Sequence, residues 1–480
     1  MRVLHVSPEV RPLNKVGGLG DVAFELPKAL AELGGAETAV VAPLTGRAAE
    51  LMEVGPRRGG PLFELCVPLD FRCHRVEVRR VELEPGPEIW AISSPLLDGK
   101  PVYPSSEAEG LTTTFPLLAL SVLEGVSRGI WGEVDLIHVH DWPGAMVPLF
   151  ARFHRYYGGL EWPPFVLSIH NMAHQGLYDP GVLDEWHLHG RVLSVEVGEF
   201  WGKLNVLKAG IVLSSCVLTV SPSYAEEIRN PEFGFGLDGV ARSVGYKLFG
   251  ILNGIDEGYW NPSTDPHIPF NYGPSDLEGK RRCKELLLEE MSLGPREGPL
   301  FCVVSRVVRQ KGFDLLAQAL PEMLASGVMV LVLGSGEREL VDGIRSAARG
   351  FEDRFKLLET FDEALSRRIY AGSDFLLMPS LYEPCGVSQL IAMRYGTLPV
   401  ARRVGGIRDT VVDVDEGGFG FLFQEYTVQA LLGAFRRALS WYRERPKELE
   451  LASRRAMTLD LSWRRAVDQY LYVYNLLRRR

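Results

Sequence analysis

The N-terminal segment RVLHVSPEVRPLNKVGGLGD, Arg2–Asp21, indicates the fold class of this 480-residue chain. Its first six residues form a short apolar run, which predicts a buried strand. A glycine-rich loop follows, and the next segment, Val22–Leu33, has the pattern of a helix. A strand that leads through a glycine-rich loop into a helix is typical of α/β proteins with parallel sheets.

The same alternation of short apolar runs and longer amphipathic stretches continues along the chain. Between Pro56 and Pro104 the pattern alternates every second residue, which predicts inserted hairpins. A first series of strands is predicted at residues 2–7, 39–42, 136–139, 165–169 and 216–220. A second series is predicted at residues 249–253, 300–305, 328–333, 375–378 and 398–401, with helices at 313–324 and 362–371.

The two series predict two Rossmann-like domains. We place the first at residues 1–247 and the second at 248–457, and we expect a C-terminal helix, 458–480, to pack back on the first. Ligands of open α/β sheets bind at the carboxyl ends of the strands. We therefore expect the functional residues to face a cleft between the two domains.

Composition excludes several classes of protein. The net charge of −9 argues against a general binder of nucleic acids or membrane surfaces. No apolar run is long enough to span a bilayer, and the N-terminus runs directly into a strand, so a cytoplasmic location is predicted. The six cysteines are scattered without any C-x-x-C pair, which favours free thiols.

The first candidate site is the segment Lys15–Asp21, KVGGLGD. Gly17 and Gly18 let the backbone approach a ligand, and the following helix offers free N–H groups to anionic oxygens. Lys15 adds a positive charge suited to phosphate. The spacing is neither that of a dinucleotide fingerprint nor that of a P-loop. A purely structural turn stays open, as does a role for Asp21 as the helix N-cap.

The second candidate is the basic pair Arg306 and Lys311 in SRVVRQKG, which follows a predicted strand. Such a loop aims two cations over the edge of the sheet. Arginine can bind a phosphate through two parallel hydrogen bonds, and lysine adds a compact charge. A solvated charged loop is the alternative interpretation.

The third candidate is the turn Glu383-Pro384-Cys385-Gly386, which follows a strand and opens a helix. A carboxylate at the mouth of a parallel strand can accept hydrogen bonds from sugar hydroxyls. A glutamate on the protein surface is the alternative.

Histidines end two neighbouring strands. His138 and His140 lie two apart and are expected to point to opposite faces, and His170 ends the next strand. Because cysteines and carboxylates are scarce nearby and H-E-x-x-H is absent, we predict no metal site. The sequence also lacks a G-x-S-x-G elbow, which argues against a serine hydrolase.

Nine segments together resemble those of bacterial glycogen synthases and plant starch synthases, in the same order. They lie between Lys15 and about Asp413 and read KVGGLGD, HVHDW, SIHNMAHQG, NVLKAGIVLSSCVLTVSPSYAEEI, PEFGFGLDG, GILNGIDEGYWNPSTDP, SRVVRQKG, YEPCGVSQL and YGTLPVARRVGGIRDTV. The resemblance implies a GT-B fold of two Rossmann-like domains, and transfer of glucose with retention from ADP-glucose to the non-reducing end of an α-1,4-glucan. It implies no cofactor and no divalent metal. The expected partners are ADP-glucose and glycogen, with no nucleic acid and no membrane.

The resemblance also implies residue roles, position by position. Lys15, Gly17 and Gly18 would line the phosphate and glucose of the donor, and Arg306 and Lys311 would hold the distal phosphate. His170 matches the histidine beside the transferred glucose, and Phe361 replaces the usual tyrosine that stacks on adenine. The remaining sugar contacts match Asp21, Asp141, Asn253, Glu383, Cys385 and Gly386.

The expected chemistry follows from charge. Breaking the bond between glucose C1 and the diphosphate leaves positive charge on the sugar and negative charge on the phosphate, which Arg306, Lys311 and Lys15 would stabilise. We expect same-face attack by the acceptor hydroxyl, with Glu383 orienting and His170 stabilising. A covalent glucosyl-enzyme is the alternative.

Three other functions stay open. One is a related retaining GT-B transferase that uses UDP-glucose or a different acceptor, and another is a non-catalytic glucan-binding relative. The joint presence of the five candidate catalytic residues argues against the second. A glycogen phosphorylase fits the fold, but its family is far longer and the pyridoxal-lysine signature is absent.

Overall fold

The computed structural model describes residues 1–46, 62–81, 83, 86–294, 297–360 and 362–478, which form two compact units. The first unit comprises Met1–Asn253 and Trp463–Arg480, and the second comprises Gly254–Ser462. Within these residues no helix has the length and apolarity to cross a membrane.

A nine-stranded sheet forms the centre of the first unit. Its order is β12-β11-β7-β6-β1-β2-β5-β4-β3, parallel except where β4 pairs with β5 and β3. A separate small antiparallel sheet has the order β8-β10-β9. The strands are β1 (Arg2–Val6), β2 (Glu37–Pro43), β3 (Leu62–Leu69), β4 (Arg72–Val81), β5 (Glu88–Ser93), β6 (Leu136–His140), β7 (Phe165–Ile169), β8 (Leu177–Tyr178), β9 (Glu199–Phe200), β10 (Lys203–Asn205), β11 (Cys216–Thr219) and β12 (Leu248–Gly250).

Helices cover this sheet and connect its strands. The α-helices of the first unit are Gly18–Gly34, Thr114–Ser127, Asp141–Phe153, Val182–Glu185, Val206–Leu213, Pro222–Glu227, Pro231–Gly234, Asp238–Ser243 and Arg464–Arg478. The central strands are buried on both faces, which is why they read as continuous apolar runs in the sequence.

A six-stranded parallel sheet forms the second unit, in the order β15-β14-β13-β16-β17-β18. Its strands are β13 (Leu300–Val304), β14 (Met329–Leu333), β15 (Phe355–Leu358), β16 (Phe375–Met378), β17 (Leu398–Arg402) and β18 (Phe421–Phe423). Its α-helices are Glu278–Met291, Phe313–Ala325, Arg338–Ala347, Glu363–Gly372, Ser388–Arg394, Gly405–Thr410, Val428–Glu444 and Pro446–Met457.

Each main sheet has a point where the strand order reverses. In the first unit the chain proceeds from β1 to β2 on one side and later to β6 on the other side of β1. In the second unit β14 and β16 flank β13 in the same way. Open α/β sheets bind ligands outside the carboxyl ends of the strands at such reversals. The two Rossmann-like α/β units predicted from the sequence are therefore present, each with one such position.

One strand was assigned to the wrong series. The run at 249–253 was expected to begin the second domain at residue 248, but β12 pairs in parallel with β11 of the first sheet. Ile251 also lies in the core of the first unit. The boundary between the units consequently lies after Asn253. A short apolar run shows that a strand exists but not which sheet it joins.

The C-terminal helix begins later than expected, at Arg464 rather than at residue 458. It packs on the first unit, where Trp463, Tyr470 and Tyr474 are buried in a core shared with helix Gly18–Gly34. The indole Nε1 of Trp463 donates a hydrogen bond to Glu25 Oε2 at 2.9 Å.

The expectation that all six cysteines are free thiols is wrong for one pair. Cys66 and Cys73 form a disulfide across the hairpin of β3 and β4, with their Cα atoms 5.4 Å apart. The hairpin register places Cys73 opposite Pro68, two residues from Cys66. The other four cysteines, Cys216, Cys283, Cys302 and Cys385, are buried and lie outside this disulfide.

Candidate active site

The loop between β1 and helix Gly18–Gly34 lies at the strand reversal of the first unit. Glu9, 2% exposed, organises it by accepting hydrogen bonds on Oε2 from the backbone N–H groups of Val16 and Gly17, at 2.6 and 2.8 Å. Tyr103 donates to its other oxygen at 2.8 Å. A Cβ on Gly18 would meet open space, so the backbone there is accessible to a ligand.

Lys15 and Asp21 form an ion pair beside this loop. Lys15 Nζ lies 2.8 Å from Asp21 Oδ1, and Arg11 approaches the same carboxylate at 3.8 Å. Asp21 is not the helix N-cap, because that position is occupied by Gly17. The structure thus brings together Lys15, Gly17, Gly18 and Asp21, all predicted as substrate contacts.

Asp141 fixes the loop that carries His170. Its φ of 53° places it in the left-handed region at the start of helix Asp141–Phe153. There its Oδ1 accepts hydrogen bonds from the backbone N–H groups of His170 at 2.6 Å and Asn171 at 3.2 Å. Burial raises the pKa of the Asp141 carboxyl to about 7, although the two N–H groups act in the opposite direction. The side chain therefore shapes the loop and titrates near neutrality.

Four histidines meet where β1, β6 and β7 end. The rings of His138 and His140 are stacked with centroids 4.5 Å apart, so the expectation that they face opposite sides is wrong. Residues two apart on a strand share a face. Burial lowers the pKa of His5 and His170 to about 3, and it lowers the pKa of His138 and His140 well below the usual value. All four imidazoles are therefore neutral at pH 7.

These histidines satisfy one geometric condition for a metal site. Nitrogens of His5, His138 and His140 lie within 4.8 Å of one another. However, His138 bonds to Tyr474 and Ser168 at 2.7 Å each, and His140 bonds to His5 and His170. A cation would have to replace these hydrogen bonds, so we assign the cluster no metal.

Asn253 carries an unsatisfied polar atom. Its side chain is 4% exposed, and its Oδ1 is buried without a hydrogen-bond partner in the described part of the chain. Leaving such an atom unpaired costs about 1–3 kcal/mol, and exceptions of this kind call for an explanation. A ligand that donates to this oxygen would provide one.

The strand reversal of the second unit holds an ion pair between Lys311 and Glu383. Lys311 Nζ donates to both oxygens of Glu383, at 2.8 and 2.7 Å, and Ser380 Oγ donates to Oε2 at 3.0 Å. Glu383 is 3% exposed. The carboxylate is thus held in one orientation at the carboxyl end of β16, next to the loop that follows β13.

Glycine at position 312 makes this pairing possible. Its φ is +76°, and a Cβ there would clash with the carbonyl oxygen of Pro379. Only glycine allows the loop that carries Lys311 to approach the loop after β16 so closely.

The turn that contains Cys385 and Gly386 is anchored from two sides. Gln389 Nε2 donates to the carbonyls of Cys385 at 3.0 Å and Gly386 at 2.9 Å. The N–H of Gly406 donates to the carbonyl of Glu383 at 3.0 Å. Gly386 has a φ of +71°. The short helix that follows begins at Ser388.

Two predicted contacts of the donor remain, Arg306 and Phe361, and the structure describes only Arg306. Arg306 is exposed, and its guanidinium makes no ion pair or hydrogen bond with the residues described here. Phe361 lies outside the described residues. Seven predicted residues are therefore placed in the first unit and five in the second.

Several residues that support the site were not predicted from the sequence. These residues make contacts that no local sequence motif indicates: Glu9, His5, Gln389 and Arg402. Arg402 donates to the carbonyl of Leu381. Glu9 and His5 lie within the N-terminal segment Arg2–Asp21. A carboxylate two residues after a buried strand was the one available signal.

Models of known protein families match segments in both units of the chain. Residues 2–243 match the family description "Starch synthase catalytic domain", and residues 298–440 match "Glycosyl transferases group 1". A glycogen synthase of Anaeromyxobacter dehalogenans is 40% identical over 99% of this chain and 100% of its own length. A glycogen synthase of Thermus thermophilus is 40% identical, with 99% of both chains covered.

A solved structure of a starch synthase matches this chain along its whole length. The catalytic domain of Starch Synthase IV from Arabidopsis thaliana, bound to ADP and acarbose, has a TM-score of 0.90 and 30% identity, and the match covers 100% of this chain and 99% of that one. Sucrose-phosphate synthase from Thermosynechococcus elongatus shares the fold at a TM-score of 0.61 and 17% identity. The chain belongs to the family of glycogen and starch synthases.

Proposed function

We propose that this chain transfers glucose from ADP-glucose to the non-reducing end of an α-1,4-glucan, with retention of configuration. The observation that carries the proposal is the Lys311–Glu383 pair at the strand reversal of the second unit. Support for the nucleotide comes from the Arabidopsis starch synthase, which was solved with ADP and acarbose.

In this proposal the second unit binds the nucleotide sugar. Lys311 and the exposed Arg306 stabilise the charge that develops on the departing diphosphate. Glu383, Cys385 and Gly386 orient the glucose hydroxyls, and Phe361 stacks on the adenine. No cofactor takes part.

The first unit contributes the groups that face the glucose and the glucan. Lys15 adds a further cation, and Gly18 offers open backbone. Asn253 Oδ1 accepts from a sugar hydroxyl, which satisfies its unpaired oxygen. Asp141 supports the loop of His170, which lies beside the transferred glucose.

We propose same-face attack by the acceptor hydroxyl rather than a covalent glucosyl-enzyme. Both oxygens of Glu383 are occupied by hydrogen bonds from Lys311 and Ser380. A carboxylate held in this way is a weak nucleophile but a rigid acceptor of hydrogen bonds. Mass spectrometry of the protein trapped during turnover tests this step, and a glucosyl adduct on Glu383 would overturn it.

Donor choice is tested by comparing nucleotide release from ADP-glucose and UDP-glucose in the presence of glycogen. The proposal predicts faster release from ADP-glucose. Faster release from UDP-glucose would support the related transferase instead. Release from neither donor, with glycogen still bound, would support a non-catalytic relative.

A further inference from the structure

Three histidines form a continuous hydrogen-bonded chain that ends at the candidate active site. His5 Nδ1 lies 3.2 Å from His140 Nε2, and His140 Nδ1 lies 3.0 Å from His170 Nε2. His5 and His140 are 0% exposed, whereas His170 is partly exposed. His140 ends β6 and His170 follows β7, but only His170 has a role in the proposed function.

The N–H groups of the three hydrogen-bonded histidines must all point the same way along the row. A neutral imidazole has one N–H donor and one bare acceptor nitrogen. His140 bonds through both nitrogens, so if it accepts from His5 it must donate to His170, and the reverse also holds. The choice at His5 therefore fixes which nitrogen of His170 carries the proton.

His5 has a reason to prefer one choice. Its Nε2 is buried and has no hydrogen-bond partner among the described residues. A buried N–H without a partner is rarer in proteins than an unpaired acceptor. The proton of His5 therefore belongs on Nδ1, where it is donated to His140 Nε2.

Neighbouring groups do not oppose this direction. His138 stacks on His140 and bonds to the hydroxyls of Tyr474 and Ser168, which can each donate or accept. The bonds of His138 are therefore compatible with either direction of the N–H groups along His5, His140 and His170.

We infer that His5 is a positioning residue that, through His140, places the proton of His170 on Nδ1. His170 Nε2 then accepts from His140, and the Nδ1–H, which has no partner within the described chain, is the donor presented to a sugar oxygen. This inference rests on the place proposed above for His170 beside the transferred glucose.

The arrangement suits the proposed reaction. An imidazolium near glucose C1 would repel the positive charge that develops on the sugar ring. A neutral imidazole with a fixed N–H can hold a hydroxyl oxygen without that repulsion, and the lowered pKa of His170 keeps it neutral.

The direct test is nitrogen NMR of the full-length protein with ¹⁵N-labelled histidine, at pH 7 and without substrate. Two-bond correlations between ring protons and nitrogens distinguish the two tautomers, and His170→Gln assigns the His170 signals. The inference predicts that His170 is protonated on Nδ1 and bare on Nε2. Protonation on Nε2 would overturn it, whether or not the enzyme uses ADP-glucose.

Kinetics provide the second test. His5→Phe removes the donor, whereas His5→Asn keeps an N–H near the position of Nδ1. We expect His5→Phe to lower kcat roughly five- to ten-fold, the worth of about one hydrogen bond, with KM for ADP-glucose unchanged, and His5→Asn to restore most of the loss. Equal losses in both variants, with intact thermal unfolding, would contradict the inference.

A matched control is available in the same unit. His154 is 1% exposed and lies outside the chain of three, so His154→Phe should leave the His170 tautomer unchanged. If His5→Phe does not fold, the tautomer of His170 in the unaltered protein still decides the question.

Discussion

Lys311 and Glu383 are the two side chains on which the proposed chemistry of the second unit depends most. Both were predicted from strand ends, and the structure joins them in one ion pair at 2.7 Å. The residues that support the loops of the candidate site could not be predicted in the same way. Glu9 receives a hydrogen bond from Tyr103, 94 residues away, and such a distance in sequence leaves no local pattern.

The cationic role of Lys311 can be measured directly. We expect Lys311→Ala to lower kcat about a hundred-fold or more, the cost typical of losing one group that stabilises developing negative charge. Lys356→Ala is the control, because Lys356 is exposed on β15 of the same sheet. A variant at Lys311 that turns over at the normal rate would exclude this role.

The buried carboxyl of Asp141 should make the stability of the folded protein depend on pH. Burial raises the pKa of this carboxyl in the folded protein from the usual 3.8 to about 7, so the ionised carboxylate is more costly in the folded state than in the unfolded state. That cost is absent below pH 4, grows as the pH rises to about 7 and is constant above. Asn can accept the same two N–H bonds, so Asp141→Asn should raise the melting temperature more at pH 8 than at pH 4. An equal shift at both values would contradict the burial of this group.

At the scale of elements, apolar periodicity located most of the strands, because parallel strands buried on both faces are continuous apolar runs. It missed β15 and β18, which are short, and β15 is only partly buried. It also assigned β12 to the second sheet, since strand pairing depends on contacts that the run itself does not encode.

The loop between β13 and the next helix depends on Gly312. An alanine there requires a strained φ and clashes with the Pro379 carbonyl, so Gly312→Ala should separate Lys311 from Glu383 and reduce kcat. Gly343→Ala is the matched control, because a Cβ at this helical position meets nothing within 4 Å. That substitution should stabilise the protein by about 0.5–1 kcal/mol. Equal activity in both variants would show that the close approach is not required.

The C-terminal helix stabilises the first unit through one face. Tyr474 is fully buried and its hydroxyl bonds to His138, whereas Tyr472 on the same helix is 67% exposed. Tyr474→Ala should cost about 3–5 kcal/mol of unfolding free energy and Tyr472→Ala much less. Chemical denaturation measures both. Similar losses would mean that the helix does not pack as described.

At the scale of the whole molecule, the two units carry different parts of the proposed chemistry, and the sequence resemblance spans both. In our account Arg306, Lys311 and Lys15 meet the charge of the diphosphate. We therefore expect EDTA to leave the rate of glucosyl transfer unchanged. A loss of rate that Mg²⁺ restores would require a metal in the mechanism.

The most direct test of the central claim uses ADP-glucose that carries a radiolabelled glucose, with glycogen as acceptor. We expect the label to enter the polymer, and we expect β-amylase, which cleaves α-1,4 bonds from non-reducing ends, to release it as maltose. Label that stays in the donor, appears as free glucose or resists β-amylase would contradict the proposed transfer.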